Sequence, residues 1–473
     1  RCVRTLLIRG FLGSLAVLLG GLITSWIPAD GWVAQLGPVD LLRSSSTGRM
    51  LGLAVVVGGL GVLTASWFRL LRYVVGSEAG VSRVIVATVV WVLPLLLAPP
   101  LFSRDGWSYA AQGYLQGQGL SPYTWTPNIL SGPLLEAVDV RWLNSPAPYG
   151  PIPLLWGGYA SVATADPWLL ALSHRAFVLV GLAMLAWAIP RLARHLGRDP
   201  GLAAWLVLPS PFMLAHGVGG VHNDVVMVGL MAVALVLAIE RSWVYAALLG
   251  GLAAAVKIPG AFICIGVALV SLAAGSTLPE RLRRFASVGT VAVAALVGAG
   301  IVAGVGMGWL HALGVPTTVE TPLSISTVLG GLLQSFGWEG GLAVARGLGT
   351  LAGLGIAGYL ALTSPTGTRH SVHAAAYAML ALTVLSPVVH PWYALWCIPL
   401  LAVLRLGQRG TSALVGVSLL LALAAPLDSS LEGAWVHIGM TTGMVVILAA
   451  AFLGKLPTLR YTRDDERELV GRT

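Results

Sequence analysis

A carboxylate stands in this sequence at the point where an apolar run gives way to a polar stretch. The run VIVATVVWVLPLLLAPP ends at Pro100, and SRDGWSYAAQG follows from Ser103, so Asp105 lies at the boundary. A carboxylate in this position can act as a general base, because partial removal from water raises its affinity for the proton of an attacking hydroxyl. It can equally pair with Arg104 or cap a helix that begins here. The residue alone leaves both interpretations open.

Four further polar motifs interrupt the apolar sequence. They are NSPAPYGP (144–151), HGVGGVHND (216–224), AVKIPG (255–260) and SPVVHPWY (386–393). Polar and ionisable groups at bilayer depth are costly, so they tend to mark sites or pathways. We expect these motifs to share one site with Asp105.

The run His222-Asn223-Asp224 has three interpretations. A metal site needs more ligands at suitable spacing, and only His216 and Asp224 lie close to His222 in the sequence. Asn223 or Asp224 is able to cap the helix that follows. Alternatively, Asp224 accepts hydrogen bonds from sugar hydroxyls, and this alternative stays open beside capping.

Several cations are candidates for holding a phosphate. Lys257 lies between two apolar runs, either as a counter-charge for a phosphate or as a snorkelling side chain. His390 is a structural hydrogen-bonding group, a phosphate ligand or a donor to a leaving oxygen. Arg175 and Arg346, both in predicted helices, either bind phosphate or pair with a buried acid.

The aromatic residues beside His390 also have two interpretations. Trp392 and Tyr393 form either a platform for a sugar or polyprenyl chain, or part of an interfacial belt. For Trp396 we expect the belt, because tryptophan favours the membrane–water interface.

Composition indicates a polytopic membrane protein. The chain has 473 residues, of which 56% are hydrophobic and 10% charged, against roughly 25% charged in soluble domains. The net charge of +9 is not clustered into a basic face, so nucleic acid is not an expected partner. Three cysteines indicate no disulfide or metal framework. Walker, H-E-x-x-H and G-x-S-x-G motifs are absent, and no G-x-G-x-x-G follows a predicted strand.

About fourteen apolar segments alternate with polar connections, and the first is too long to be a cleavable signal peptide. An additional short interfacial or re-entrant helix is expected over 324–336, and Lys257 and Pro259 interrupt the window 242–274. The segments are 6–27, 49–67, 84–101, 167–189, 201–218, 222–239, 242–256, 259–274, 286–306, 339–362, 372–388, 392–404, 411–427 and 434–453.

The cations predict an orientation. With the N-terminus inside, 21 of the 28 lysines and arginines fall on the inner side, as the positive-inside rule requires. The connection 102–166 then lies outside as a large loop with short interfacial helices, and 454–473 is a charged cytosolic tail. All five polar motifs fall at the outer face. The seven exceptional cations are Arg43, Arg49, Arg104, Arg141, Arg175, Lys257 and Arg346.

Together these motifs resemble a known family. SRDGWSYAAQGYL, NSPAPYGP, GGVHNDVVMVGL, AAAVKIPGAF and LSPVVHPWYALW, in this order between about 84 and 404, are similar to the actinobacterial polyprenol-phosphomannose-dependent α-1,6-mannosyltransferases of the MptA/MptB type. These are integral membrane glycosyltransferases of the GT-C class. The resemblance implies an all-α GT-C fold with about fourteen transmembrane segments over one domain, 1–473.

The resemblance also implies an activity. An enzyme of this type takes mannose from polyprenyl-phosphate-mannose and adds it to a mannan or lipomannan, with inversion, at the outer face of the plasma membrane. Asp105 is then the catalytic base. No cofactor is expected, and dependence on a divalent metal stays open. The residues expected to bind the donor phosphate are Lys257, His390, Arg175 and Arg346. The residues expected to bind the sugar and the acceptor are Arg104, Tyr109, Gln112, Tyr149, His222, Asn223, Asp224, Trp392 and Tyr393.

Two alternatives to this function stay open on the sequence. A related GT-C enzyme with another polyprenyl-phosphate sugar fits the same motifs. A lipid or solute transporter fits the composition, but transporters commonly carry internal repeats with paired broken helices, and no repeat is visible here. A non-catalytic lipid-binding scaffold leaves Asp105 unexplained.

Overall fold

The computed structural model describes residues 2–430 and 435–456, and these residues form helices and connections without a β-strand. The first helices are α1 (Cys2–Thr24), α2 (Gly37–Arg43), α3 (Ser46–Leu71), α4 (Gly80–Leu95), α5 (Asp105–Gly117), α6 (Pro133–Ala137) and α7 (Pro151–Ala163). The next are α8 (Pro167–His195), α9 (Pro200–Val207), α10 (Asp224–Glu240), α11 (Trp243–Val256), α12 (Cys264–Val270), α13 (Leu278–Val302) and α14 (Trp309–Ala312). The last are α15 (Ile325–Ser335), α16 (Gly341–Thr363), α17 (Thr368–Val384), α18 (Ile398–Ala402), α19 (Gln408–Ala424), α20 (Pro426–Ser430) and α21 (Trp435–Leu453).

Local sequence explains where the long helices begin. The side chain of Asp166 accepts a hydrogen bond from the Leu169 amide, and Pro167 occupies the first helical position of α8. Helix α13 begins with a reciprocal capping box between Thr277 and Glu280. Such caps satisfy amide groups that have no partner inside the helix.

Seven helices within the described residues are long and apolar enough to cross a membrane, and the number is eight if one bent pair counts as a single span. The chain is therefore an all-helical polytopic membrane protein. Each of the fourteen predicted segments overlaps helical structure, and the short helix predicted over 324–336 is present as α15. Several of the fourteen are shorter than a full span, such as α11 and α12, which the Lys257 break separates. The predicted tail 454–473 lies almost entirely outside the described residues.

Small residues allow the helices to pack closely. Helices α1 and α3 run against each other, and a Cβ built on Gly20 would stand 2.6 Å from the Gly52 carbonyl oxygen. Close approach of this kind is how membrane helices gain packing contacts without a hydrophobic driving force between them.

The connection 102–166 is folded into the helical bundle. It contains α5, α6, α7 and a short 3₁₀ helix, Pro127–Ile129. Helix α5 packs against α7 and α8, and ten of its thirteen residues are buried, from Asp105 to Leu115. The short helices are as predicted, but α5 is a core helix rather than an amphipathic helix on the surface, because its Gly and Ala positions admit neighbours on every side.

A buried arginine holds two chain breaks together. Arg175, on α8, is 1% exposed. Its guanidinium donates to five main-chain carbonyls: those of Leu96, Ala98 and Pro99 after α4, and those of Val218 and Gly219 at the end of a π-helix, Met213–Gly219. These carbonyls lie at or just beyond helix ends, and an apolar interior offers them no water. The arginine therefore supplies the donors.

Both breaks contain a residue with a left-handed backbone. Phe102 has φ 58° and Val221 has φ 60°, and each lies three residues before a carboxylate, Asp105 and Asp224 respectively. This conformation costs on the order of 1–3 kcal/mol for such residues. It turns the chain sharply, and the π-helix meets α10 at 107°. The two turns bring the starts of α5 and α10 into the same region.

The contact between α5 and α7 is a place where this packing is testable. A Cβ on Gly113 would stand 2.6 Å from the Gly157 Cα. Gly113→Ala should therefore force the helices apart and lower stability by about 1–3 kcal/mol, measured as a drop in melting temperature of the purified protein in detergent. Gly58→Ala is the control, because a Cβ there meets nothing within 4 Å. Equal melting temperatures for both variants would contradict the packing.

Candidate active site

Asp105 is the first residue of α5 and is 7% exposed. The Tyr149 hydroxyl donates to its Oδ2 at 3.3 Å, and His222 Nδ1 lies 3.7 Å from the same oxygen. Arg104 occupies the N-cap position of α5, and Asp105 is the acidic residue of its first turn rather than its cap. The carboxylate lines a cavity, and both of these contacts are made by the same oxygen, Oδ2.

A second carboxylate lies behind the first. Asp224, the first residue of α10, is fully buried, and its Oδ1 accepts hydrogen bonds from Lys257 Nζ at 3.0 Å and from Trp396 Nε1. Trp396 is 4% exposed, so the prediction of an interfacial belt position was wrong. Its indole nitrogen is needed inside, because a buried carboxylate requires donors.

The Lys257 ammonium lies among aromatic rings. It is 4.3 Å from the ring centroid of Tyr393, 5.1 Å from Trp396 and 5.5 Å from Tyr149. Aromatic faces attract cations, most strongly where water is excluded. Lys257 is therefore a buried, paired cation rather than a snorkelling one.

Three rings stack along one side of the site. Trp392 lies between His222, with ring centroids 4.1 Å apart, and His390, at 4.4 Å, and both pairs are close to parallel. The stack joins the motif that contains His222 to the motif that contains His390. It fixes the orientation of His222 beside Asp105.

Residues on the inner side of α5 continue the polar site. Tyr109 follows Asp105 by one helical turn and packs edge to face on Tyr149, with ring centroids 4.9 Å apart. Gln112 is also buried on this helix, at 2% exposed, and Asn223 is 1% exposed at the start of α10. The Asn223 side chain makes no capping hydrogen bond either. The structure thus brings together residues from all five polar motifs.

Three predicted site residues contact groups elsewhere in the protein. Arg175 directs its donors to main-chain carbonyls, as described above. Arg346 donates from Nη2 to the Val319 carbonyl at 2.9 Å, on the connection before α15. Neither lines the main cavity. The Arg104 guanidinium does line it and lies over the Trp26 ring, 3.4 Å from the centroid.

The main cavity has a volume of about 580 Å³. Asp105, His390 and Trp392 line it, while Lys257 and Asp224 lie outside its lining. Five further polar or aromatic residues around it were missed in the sequence analysis: Asp139, Arg141, Trp142, Glu320 and Asp428. Arg141 and Asp139 form a two-point ion pair, with the shorter contact at 2.7 Å. One feature of the sequence indicated Arg141, because it is one of the seven cations that do not follow the positive-inside pattern.

Burial sets the protonation of the groups that face the cavity. Burial raises the pKa of Asp105 to about 6, with the Lys257 charge opposing it and the Asp224 charge adding to it. Burial lowers the pKa of His390 to about 3, and the Lys257 charge adds to this effect. His390 is therefore neutral near pH 7 and can serve as a hydrogen-bonding group but not as a cation.

No group of three or more His, Cys, Asp or Glu side chains with metal-binding geometry occurs in residues 2–430 and 435–456. Asp105 and Asp224 instead meet Tyr149, Trp396 and Lys257, which supply protons and positive charge.

Comparison with protein families gives two matches that together span most of the chain. Residues 7–274 match the family described as alpha-(1->6)-mannopyranosyltransferase, N-terminal domain. Residues 320–454 match the MptB C-terminal domain.

Two similar proteins show the extent of the likeness. Alpha-(1->6)-mannopyranosyltransferase A of Mycobacterium tuberculosis is 31% identical over 464 residues, which covers 92% of this chain and 87% of that protein. Alpha-(1->6)-mannopyranosyltransferase B of Corynebacterium glutamicum is 30% identical over 439 residues, which covers 83% of this chain and 72% of that protein.

The buried ion pair generates a stability prediction. Lys257→Met leaves the Asp224 charge buried and uncompensated, so the protein should lose about 3–5 kcal/mol of stability, measured by thermal unfolding in detergent. Adding Asp224→Asn removes that charge and should restore most of the loss. Arg409→Met, at an exposed position, is the control and should change little. A double variant as unstable as Lys257→Met would contradict the pairing.

Proposed function

Because this chain belongs to the MptA/MptB family of α-(1→6)-mannopyranosyltransferases, we propose that it transfers mannose from polyprenyl-phosphate-mannose to a mannan or lipomannan acceptor and forms α-1,6 linkages. The names of its relatives support the sugar and the linkage. The observation that carries the proposal is the buried Asp105 at the wall of a cavity of about 580 Å³ among membrane helices. Such a site admits a polar acceptor beside a lipid-held donor.

The proposed setting is the plasma membrane, with the site on the extracytoplasmic side. The chain would form one GT-C domain with about fourteen crossings, counting short and broken helices. The 21 of 28 cations on the inner side of that topology support the orientation. The lining of the cavity by Asp139, Arg141 and Trp142, all from the 102–166 connection, supports a site on the outer side.

Asp105 would act as the general base of a single displacement. A hydroxyl of the acceptor attacks the anomeric carbon of the β-mannosyl phosphate and gives its proton to the carboxylate. The new carbon–oxygen bond forms as the bond to the phosphate oxygen breaks, and polyprenyl phosphate leaves with the electron pair. Inversion then gives the α-linkage. Tyr149 holds Oδ2 of Asp105, which leaves Oδ1 to receive the proton.

The neighbouring groups would keep the Asp105 carboxylate ionised and oriented. Lys257 favours the ionised form of Asp105, and its pairing with Asp224 fixes it in place. His222, 3.7 Å from Oδ2, is stacked on Trp392 and would orient the carboxylate. Trp142 lines the cavity as an apolar surface for a sugar ring. Tyr109, Gln112 and Asn223 would complete the sugar and acceptor contacts.

The base assignment is tested by an in-membrane transfer assay with radiolabelled polyprenyl-phosphate-mannose and a short α-mannoside. Asp105→Asn should lose nearly all turnover, at least about a hundredfold, because the proton acceptor is gone. Asp30→Asn, at an exposed loop position, is the control and should transfer normally. Normal transfer by Asp105→Asn would exclude the base role, and transfer from another lipid-linked sugar but not from mannose would exclude the donor.

The pH dependence follows from the raised pKa of Asp105, about 6. The base works when deprotonated, so kcat/KM should be level above about pH 7 and fall about tenfold per pH unit below 6. Tyr149→Phe removes a hydrogen bond that favours the carboxylate, so this limb should move to higher pH. An acid limb near pH 4, or one that Tyr149→Phe leaves in place, would contradict the assignment.

A further inference from the structure

A second cavity adjoins the main one. Its volume is about 410 Å³, and it lies between the end of α1, the start of α3, Arg104 and the α20–α21 region. The two cavities have five lining residues in common: Thr24, Ser25, Trp26, Arg104 and Ser429. A molecule that occupies both would pass Arg104.

The charges of the two cavities differ in sign. Among the described residues, the lining of the second cavity holds three guanidinium groups, those of Arg43, Arg49 and Arg104, and no carboxylate. The main cavity has Arg104 and Arg141 against four carboxylates, those of Asp105, Asp139, Glu320 and Asp428. An anion is therefore favoured in the second cavity and a neutral polyol in the main one.

The guanidinium groups are held in place by the protein. Arg43 Nη1 donates to the carbonyls of Leu22, Ile23 and Ser25 at the end of α1, at 2.8–3.2 Å. Arg49 Nε donates to the Arg43 carbonyl at 2.9 Å. The terminal nitrogens of Arg49 make no hydrogen bond within the described parts of the chain, and paired N–H groups of this kind match the oxygens of a phosphate.

The earlier candidates for the phosphate offer less charge. Lys257 is neutralised by Asp224, His390 is neutral near pH 7, and Arg175 is committed to main-chain carbonyls. We propose that the cavity of Arg43, Arg49 and Arg104 binds the phosphate of a polyprenyl phosphate ester. The proposal rests on the proposed function and names the place of the donor phosphate and of the leaving group.

The position of the second cavity suits both the transfer reaction at Asp105 and the binding of a prenyl chain. Arg104 precedes Asp105, so a phosphate here directs its sugar towards the base in the main cavity. On the other side, α3 exposes Leu51 at 57%, Val55 and Val62, which form an apolar stripe that begins two residues after Arg49. Helix α21, which packs against α3, exposes Val436 and Met440. A prenyl chain finds apolar surface directly beside the arginines.

Equilibrium binding of radiolabelled farnesyl phosphate to the purified full chain in nanodiscs tests the pocket without requiring turnover. Arg49→Gln should weaken binding about tenfold, because a charge-assisted contact is lost, and Arg49→Lys should recover part of it. Arg69→Gln is the matched control: it is an exposed arginine on the same helix, about 30 Å away along the axis. Its binding should equal that of the wild type.

Inorganic phosphate distinguishes the two sources of the same anion. Unlabelled farnesyl phosphate should displace the label, and inorganic phosphate at the same concentration should not. Equal displacement by both would overturn the lipid assignment. Unchanged binding in Arg49→Gln, or an equal loss in Arg69→Gln, would overturn the pocket.

The transfer assay separates this proposal from the function on which it rests. In it, Arg49→Gln should raise the KM for the lipid donor about tenfold. Arg49-dependent binding in a chain that transfers no mannose would refute the proposed function and uphold the pocket. Mannose transfer with an unchanged donor KM in Arg49→Gln would uphold the proposed function and refute the pocket.

Discussion

The organisation of the site depends on one constraint: main-chain carbonyls that leave a helix inside an apolar bundle must find donors. Arg175 satisfies five of them at once, from the chain after α4 and from the end of the π-helix. Because the same side chain binds both segments, the turns at Phe102 and Val221 are fixed side by side despite their strained backbones. Asp105 and Asp224 follow these turns by three residues each. The arginine that sequence analysis offered as a phosphate ligand is thus, in the structure, the support of the framework.

The second constraint is charge balance in a region with little water. Two carboxylates at the starts of α5 and α10 share the field of a single ammonium, that of Lys257, which is bonded to Asp224. Asp105 is left with a hydroxyl from Tyr149 and a raised pKa, which suits a proton acceptor. The two acids differ in their surroundings: Asp224 is fully buried, with Oδ1 bonded to Lys257 and Trp396, whereas Asp105 lines the cavity.

The seven cations that break the positive-inside pattern form a coherent group in the structure. Four of them, Arg43, Arg49, Arg104 and Arg141, line the two connected cavities. The other three, Arg175, Lys257 and Arg346, bind main-chain carbonyls or a buried carboxylate. Each of these seven cations has an identifiable partner or faces a cavity. The exceptions to the predicted topology were therefore a guide to the cavities and to the groups that support them.

Helical segments, membrane character and the five polar motifs followed from the sequence, because hydrophobic runs and costly polar groups in lipid leave an unmistakable linear pattern. The sequence also predicted that five residues would converge, because the predicted topology assigns their motifs to one membrane face: Asp105, Tyr149, His222, Lys257 and His390. The pairing of Lys257 with Asp224, the inward turn of Trp396 and the commitment of Arg175 were not, since each depends on which side chain lies nearest after the helices break and pack. The same holds for five cavity residues from three separate parts of the chain: Asp139, Arg141, Trp142, Glu320 and Asp428. A linear sequence specifies which groups need partners, and only the packed helices specify which partner each one finds.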